Sequence, residues 1–191
     1  EAGFYPPDTM GGVGPTQIFV TVNGRMRVYD KNGAIGPLDV TSATFFNSVR
    51  NGSTPSDPRV YYDPLSQRWF VCMINVTSPN RVMLAVSSGP TITSTSSFTF
   101  YQFTQDQIGT PGNDAGALFD YPCMGIDNNA VYIGGNMFGS LTSGTPSVFV
   151  IRKSSVLSGG PIVVKDFRQL SNISTPYGVS NFDSAATEGY F

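Results

Sequence analysis

The sequence contains no histidine, and this absence removes several kinds of catalytic chemistry at once. Ser-His-Asp and Cys-His nucleophilic sites need an imidazole base, and many zinc and iron sites need imidazole ligands. The chain has only two cysteines, which are too few for a structural zinc site. Glutamate is nearly as scarce, since Glu1 and Glu188 are the only two. Acid, base or cation chemistry in this chain therefore depends on aspartate.

Charge is also sparse, because only 13% of residues are charged and the formal net charge is −2. The sequence has no cluster of Lys and Arg, so it lacks the basic patch that a nucleic-acid site needs. No apolar run reaches the roughly 18 residues that would span a bilayer, and no signal peptide follows Glu1. We therefore expect neither nucleic-acid binding nor a membrane span.

The chain is instead rich in residues that make short strands and tight turns. It has 191 residues, of which 40% are hydrophobic, with 21 glycines and 14 prolines. This length and hydrophobic content can bury a core and indicate a single domain. Glycine and proline at this density favour many strands joined by turns.

One pattern occurs three times along the chain. An acidic residue precedes a short apolar strand, a turn begins at Asp63, Asp127 or Asp183, and a second strand follows. Two further strands complete each full unit, so each unit has four. The predicted blades are residues 14–56, 57–119 and 120–175, and residues 176–191 are the predicted start of a further blade.

Four-stranded units that recur every 40 to 60 residues or so are typical of a β-propeller. A β-sandwich would explain the number of strands, but not the regular return of the acid, the hairpin and the buried third strand. We therefore predict an all-β propeller with about three blades and the first strand of a fourth. Since propellers usually have about four to eight blades, closing the ring needs more polypeptide. We favour the remainder of a longer chain over additional copies of this one.

Several motifs resemble those of a group of secreted, largely uncharacterised β-propeller proteins. The resemblance covers nearly the whole chain and implies the fold and secretion, but it assigns no active-site residues. The residues that carry it are 7–15, 28–33, 57–63 with Arg68-Trp69-Phe70, 120–122 with 125–127, and 136–138.

A narrower resemblance lies in residues 56–60, Ser-Asp-Pro-Arg-Val, taken with residues 68–71. This segment is similar to the Arg-Asp-Pro-Lys-Val motif of five-bladed glycoside hydrolases that act on fructans and arabinans. The resemblance implies that Asp57 would stabilise an oxocarbenium-like transition state. Ser56 replaces the arginine of that motif, and the family's Asn-Asp-Pro nucleophile and Glu-Cys general-acid motifs are not found.

Asp8, Asp57 and Asp120 each precede the first strand of a unit and could form a ring at one mouth of a propeller channel. Such a ring would suit a hard cation, above all calcium, whose ligands are oxygens. In the alternative, each aspartate accepts backbone N–H bonds in a turn. Tyrosines near the same mouth would suit a sugar or a peptide, or would anchor loops through their rings: Tyr5, Tyr61, Tyr121 and Tyr177.

Three N-glycosylation sequons, at Asn51, Asn75 and Asn172, and a low lysine content predict an extracellular glycoprotein. Cys72 and Cys123 fall on strands of consecutive units. They either form a disulfide or serve as two buried small hydrophobic residues, and the sequence does not decide between these.

The sequence therefore favours a secreted, non-catalytic β-propeller that binds a glycan or another extracellular protein through the loops around Asp8, Asp57 and Asp120, with calcium as a possible cofactor. The first alternative is a glycoside hydrolase with Asp57 in the active site. The second is an extracellular assembly protein whose last strand pairs with a neighbouring subunit by strand addition.

Overall fold

The computed structural model describes residues 3–109, 114–139 and 145–191. These residues form twelve strands and two short α-helices, Ser42–Phe45 and Lys153–Leu157. The strands are β1 Met10–Val13, β2 Gln17–Val22, β3 Arg25–Asp30, β4 Ile35–Thr41, β5 Pro55–Asp63, β6 Arg68–Asn75, β7 Arg81–Ser87, β8 Phe98–Thr104, β9 Leu118–Ile126, β10 Ala130–Phe138, β11 Pro146–Arg152 and β12 Val164–Phe167.

The strands form four-stranded sheets in which each strand pairs with its neighbours in sequence. The first sheet is β1 to β4, the second β5 to β8, and the third β9 to β12. Successive antiparallel four-stranded meanders are the blades of a β-propeller, so the predicted fold class is confirmed. No helix in the part of the chain that the structure describes is long and apolar enough to cross a membrane.

The first sheet differs from the prediction at both ends. Residues 10–13 precede the predicted first blade, residues 14–56, but form the first strand of its sheet, β1. At the other end, β4 stops at Thr41, well before the predicted end of the blade at residue 56, and a helical turn follows. Thr41 caps that turn, because its hydroxyl oxygen accepts the Thr44 N–H at 3.0 Å. Helical geometry buries the consecutive rings of Phe45 and Phe46 together, which an extended strand would place on opposite faces.

The predicted opening strand of a further blade is also wrong, because residues 176–191 contain no strand. Their backbone makes only scattered bonds, such as the Asn181 N–H to the Ile126 carbonyl at 3.0 Å. A strand needs a ladder of such bonds with a partner strand, and the described residues of this segment make only isolated bonds, one of them to β9.

The predicted turn acids do begin turns. Asp63 accepts the N–H groups of Leu65 and Ser66, both at 3.1 Å, and Asp127 accepts those of Asn129 and Ala130, both at 2.7 Å. In each turn the carboxylate replaces a backbone acceptor, which fixes the turn between the first two strands of a sheet. Asp183 accepts the Ala185 N–H at 2.9 Å in the same way.

The chain divides into two compact units, and the first comprises residues 1–75 and 83–102. Trp69 is fully buried in its core, and its indole N–H donates to the Pro90 carbonyl at 2.9 Å. Gly14 lies so close to this ring that a Cβ atom at Gly14 would sit 2.4 Å from it. The other aromatic rings of this core are Phe19, Phe45, Phe46 and Phe98.

The second unit comprises residues 76–82 and 103–191. Arg168 joins separate segments of this unit. Its guanidinium pairs with Asp166 at 2.7 Å and donates to the carbonyl of Ile108 at 2.9 Å. The same group donates to the Gln105 side chain at 3.1 Å and stacks over the Phe149 ring at 5.2 Å. Several bonds to a single buried cation fix the segment after β8 against β12.

The structure excludes the disulfide between Cys72 and Cys123, since both are buried free thiols. Cys72 lies on β6, the second strand of its sheet, and Cys123 on β9, the first strand of another, so the two positions are not equivalent in their sheets. The alternative of two buried small hydrophobic residues describes both positions.

Replacing Gly14 by alanine should lower the free energy of unfolding by about 1–3 kcal/mol, because the new methyl group overlaps the Trp69 ring in a filled core. Denaturant unfolding measures this change. Gly89→Ala is the matched control, since a Cβ at Gly89 meets no atom within 4 Å. Equal stability of the two variants would show that the Trp69 contact is not tight.

Stability in acid should depend on Asp39, whose pKa is lowered by hydrogen bonds from Arg25 and then from Arg27. A depressed folded pKa gives stability that is present above the unfolded value, near pH 4, and is lost as the pH falls below it. Asp39→Asn should therefore be less stable than the wild type at pH 7. The difference should shrink below about pH 4, and thermal unfolding between pH 2 and 8 would reveal a constant difference if this is wrong.

Candidate functional site

The first strands of the second and third sheets carry the same backbone irregularity. Asp57 in β5 and Tyr121 in β9 both have φ 55°, and a proline follows each of them. The register shifts at both places, so each strand has a β-bulge there. Left-handed φ is uncommon for residues other than glycine and costs on the order of 1–3 kcal/mol.

This irregularity also occurs outside the two strands. Thr175, with φ 47°, precedes Pro176, and Asp8, with φ 44°, lies two residues before β1. The predicted repeat is therefore real, but its register was wrong by one residue. Asp57 corresponds to Tyr121, and Asp120 corresponds to Ser56, because the bulge rather than the acid is the repeated feature.

Asn23 joins the two strained aspartates of the first unit. It follows β2 at the hairpin to β3 and is only 7% exposed. Its side-chain NH₂ donates to Asp8 Oδ2 at 2.6 Å and to the Pro6 carbonyl at 3.1 Å. Its side-chain oxygen accepts the Asp57 N–H at 2.8 Å. One buried amide thus fixes both the segment before β1 and the bulge of β5.

The second unit contains the same kind of asparagine bridge to a strained residue. Asn136, near the end of β10, accepts the Thr175 N–H at 3.0 Å and donates to the Thr175 hydroxyl at 3.0 Å. In both units an asparagine late in the second strand, or just after it, satisfies the N–H of the next strained residue. The strain is tolerated because an otherwise buried donor obtains its acceptor.

We call Asp8, Asn23, Ser56 and Asp57 the Asn23 cluster. The side chains of Asp8 and Asp57 are partly exposed, and Asp57 Oδ1 accepts the Ser56 hydroxyl at 2.9 Å. Tyr5 is 98% exposed and lies next to Pro6, whose carbonyl is held by Asn23. The cluster therefore presents two carboxylates and a nearby aromatic ring to solvent from a fixed backbone.

The other predicted ligand residues lie on the first strands of the second and third sheets. Tyr61 lies further along β5, opposite Phe70 and partly buried, and takes no part in the bonds of the Asn23 cluster. Asp120 and Tyr121 belong to β9 in the second unit. Tyr121 is 41% exposed, and its hydroxyl accepts a hydrogen bond from Tyr177 at 3.4 Å.

The predicted three-aspartate calcium site is not assembled. Across residues 3–109, 114–139 and 145–191, no three Asp, Glu, His or Cys side chains lie close enough to hold a metal ion. Asp8 and Asp57 are joined through Asn23 within the first unit, and Asp120 belongs to the second unit, one position before its bulge. Calcium binding by the remaining pair stays a prediction.

Two of the three sequons remain accessible. Asn51 and Asn172 are exposed, with φ 48° and 62° in turns. Asn75 is fully buried at the end of β6, so the folded chain has no room for a glycan there. Glycosylation at Asn75 is therefore a wrong prediction for the folded protein, and the other two sites stay predictions.

Neither a protein-family model nor a curated protein matches this sequence. Among solved structures, an exo-β-1,3-galactanase from Phanerochaete chrysosporium in complex with β-1,3-galactotriose gives a TM-score of 0.48 at 10% identity. That match covers 90% of this chain and 40% of the galactanase. A GH43 β-1,3-galactosidase gives 0.45 at 12% identity, covering 85% of this chain and 36% of that protein. This chain thus spans about two fifths of either enzyme.

Asn23→Ala should lower the free energy of unfolding by about 1–3 kcal/mol, because it leaves the Asp57 N–H without its acceptor. Asn32→Ala is the control, since Asn32 is exposed and its side chain makes no hydrogen bond within the described residues. Denaturant unfolding compares the two, and hydrogen exchange at the Asp57 amide should speed up in the first variant only. Unchanged exchange there would contradict the role of Asn23.

Proposed function

We propose that this chain is a non-catalytic, extracellular β-propeller that binds a glycan through the surface formed by Asp8, Asp57 and Tyr5. The observation that carries the proposal is the bridge made by Asn23. A buried amide holds two strained backbone segments so that their carboxylates meet solvent in a fixed arrangement. Strained backbone that the surrounding structure holds in place tends to occur at functional sites.

The chemistry of this surface suits a polyhydroxyl ligand. Carboxylate oxygens accept strong hydrogen bonds from neighbouring sugar hydroxyls. A tyrosine ring offers an apolar face and a polar tip, so it can cover the C–H face of a sugar ring. Because Asn23 fixes the backbone of Asp8 and Asp57 before binding, little ordering cost remains for the ligand to offset.

A glycoside hydrolase is the second candidate, and the same bridge is the observation that favours it. Hydrolysis of a glycosidic bond uses two carboxyl groups on either side of the bond. In this alternative Asp57 stabilises the transition state, and Asp8, connected to it through Asn23, supplies the second carboxyl group.

The accessible sequons at Asn51 and Asn172 and the low lysine content support the extracellular part of the proposal. Calcium is included as an optional ligand, because Asp8 and Asp57 offer the carboxylate oxygens that it prefers. Binding is therefore to be measured both with calcium and with EDTA.

Asp57→Asn and Asp8→Asn should each weaken glycan binding about tenfold or more, which corresponds to about 1.4 kcal/mol. Asparagine tolerates left-handed φ, so the backbone is kept while the charge is removed. Asp183→Asn is the control, because Asp183 is exposed and asparagine can form the same turn bond. Binding is measured by calorimetry with oligosaccharides selected on a glycan array.

Release of reducing sugar by the wild type, lost in Asp57→Asn, would support the hydrolase and overturn the non-catalytic assignment. Binding without release, weakened in both variants, supports the proposal. If no glycan on the array binds the wild type, or if the control loses as much affinity as Asp57→Asn, the proposed surface is wrong.

A further inference from the structure

The second unit contains an open groove of about 460 Å³ that lies away from the Asn23 cluster in the sequence. Its size is within the range of small-molecule sites. It is formed by the turn before β10, the end of β11, the start of the helix after it and the beginning of β12. The lining residues are Asn128, Asn129, Ala130, Val150, Arg152, Ser154, Val163 and Lys165.

Strand register places the two cations of this groove on one face. Val150 and Arg152 are two residues apart on β11, so both side chains leave the same side of the sheet. Lys165 lies opposite Val150 on β12, and the Arg152 N–H donates to the Val163 carbonyl at 2.9 Å. Arg152 and Lys165 are therefore diagonal neighbours, within reach of one small ligand.

Both cations are exposed, and neither forms an ion pair within the described residues. The nearest acids in sequence are engaged elsewhere. Asp127 is buried and accepts the Tyr132 hydroxyl at 2.6 Å, and Asp166 pairs with Arg168 at 2.7 Å. The groove is thus positive in a chain whose acids outnumber its Lys and Arg, 13 to 11.

The remaining lining residues indicate the kind of anion. Ser154 is exposed, and its hydroxyl has no partner in the part of the chain that the structure describes, so it can serve a ligand. Val150 lies opposite Lys165 and Val163 opposite Arg152, so the two valines form the other diagonal and add apolar surface beside each cation. An inorganic anion would leave this apolar surface in contact with water, whereas a sugar ring with an acidic substituent would cover it and reach both cations.

We infer that this groove binds an acidic saccharide, whose carboxylate or sulfate group lies between Arg152 and Lys165 and whose ring covers Val150 and Val163. A uronate and a sulfate ester present the same charge chemistry to the two cations. The choice of a saccharide rests on the proposed function, while the negative charge of the ligand rests on the groove alone.

The test uses the whole chain and three disaccharides of the same linkage, one sulfated, one containing a uronate and one neutral. The wild type should bind one or both acidic forms at least tenfold more tightly than the neutral form, and raised salt should weaken the acidic forms only. Arg152→Gln with Lys165→Gln should remove that preference. Lys31→Gln removes an exposed lysine in the first unit and should change nothing.

Thermal unfolding first confirms that the double variant is folded. Unchanged acidic-saccharide binding by a folded double variant would overturn the inference, as would equal binding of the neutral form by the wild type. Self-association of Lys165→Gln with unchanged binding would show instead that Lys165 protects the edge of β12, and would also overturn it.

Failure of the groove and failure of the proposed function have different signatures. If the acidic disaccharides bind through Arg152 and Lys165 while Asp57→Asn alters no glycan, the surface around the Asn23 cluster is wrong and the groove stands. If Asp57→Asn weakens neutral glycans while the acidic forms show no advantage, the groove is wrong and the proposed function stands.

Discussion

A side-chain amide that accepts the N–H of a strained residue is the interaction on which the rest of this structure depends. Asn23 performs this role for Asp57, and Asn136 performs it for Thr175. An N–H group that loses its acceptor raises the free energy of the folded chain, so the amide is needed to keep the bulge stable. The bulge sets the register of the first strand, and through it the exposure of the Asp57 carboxylate. The hydrogen bond from Asp57 to Asn23 thus determines both the strand register and the position of the candidate site.

Much of the fold followed from the sequence because its causes are local. Alternating apolar residues, Asp-initiated turns such as Asp63 and the return of the whole pattern predicted four-stranded units. The errors arose where contacts between residues distant in sequence determine the local backbone structure. The helix at Ser42–Phe45 forms because its two phenylalanine rings are buried together, and the acid at 120 was misaligned because left-handed φ is not visible in a sequence. From the sequence alone, Asn23 before Gly24 indicates a hairpin turn and not a bridge. The repeated asparagine near the end of each second strand, at 23, 75 and 136, was the signal that could have identified it.

These asparagine bridges also define the structural module of this chain. Asn23 and Asn136 each bind a residue that comes after their own sheet, so the module does not coincide with four consecutive strands. Asn23 follows the second strand of the first sheet and acts on the first strand of the second, within one compact unit. A module cut at a sheet boundary would separate the amide from the strained residue it satisfies. A chimera that keeps both partners in one segment would preserve the bulge.

Asn23 is followed by Gly24, and this dipeptide has a chemical consequence. Asparagine before glycine is the context in which the side-chain amide is most readily lost, because the unhindered glycine N–H can attack it. Asparagine is accordingly a heat-sensitive residue in proteins. Loss of that amide would replace the NH₂ donor facing Asp8 with an acidic oxygen, turning an attraction at 2.6 Å into a repulsion. Asn23 fixes the backbone of the candidate site, and it is thus also the residue whose deamidation would disrupt that site.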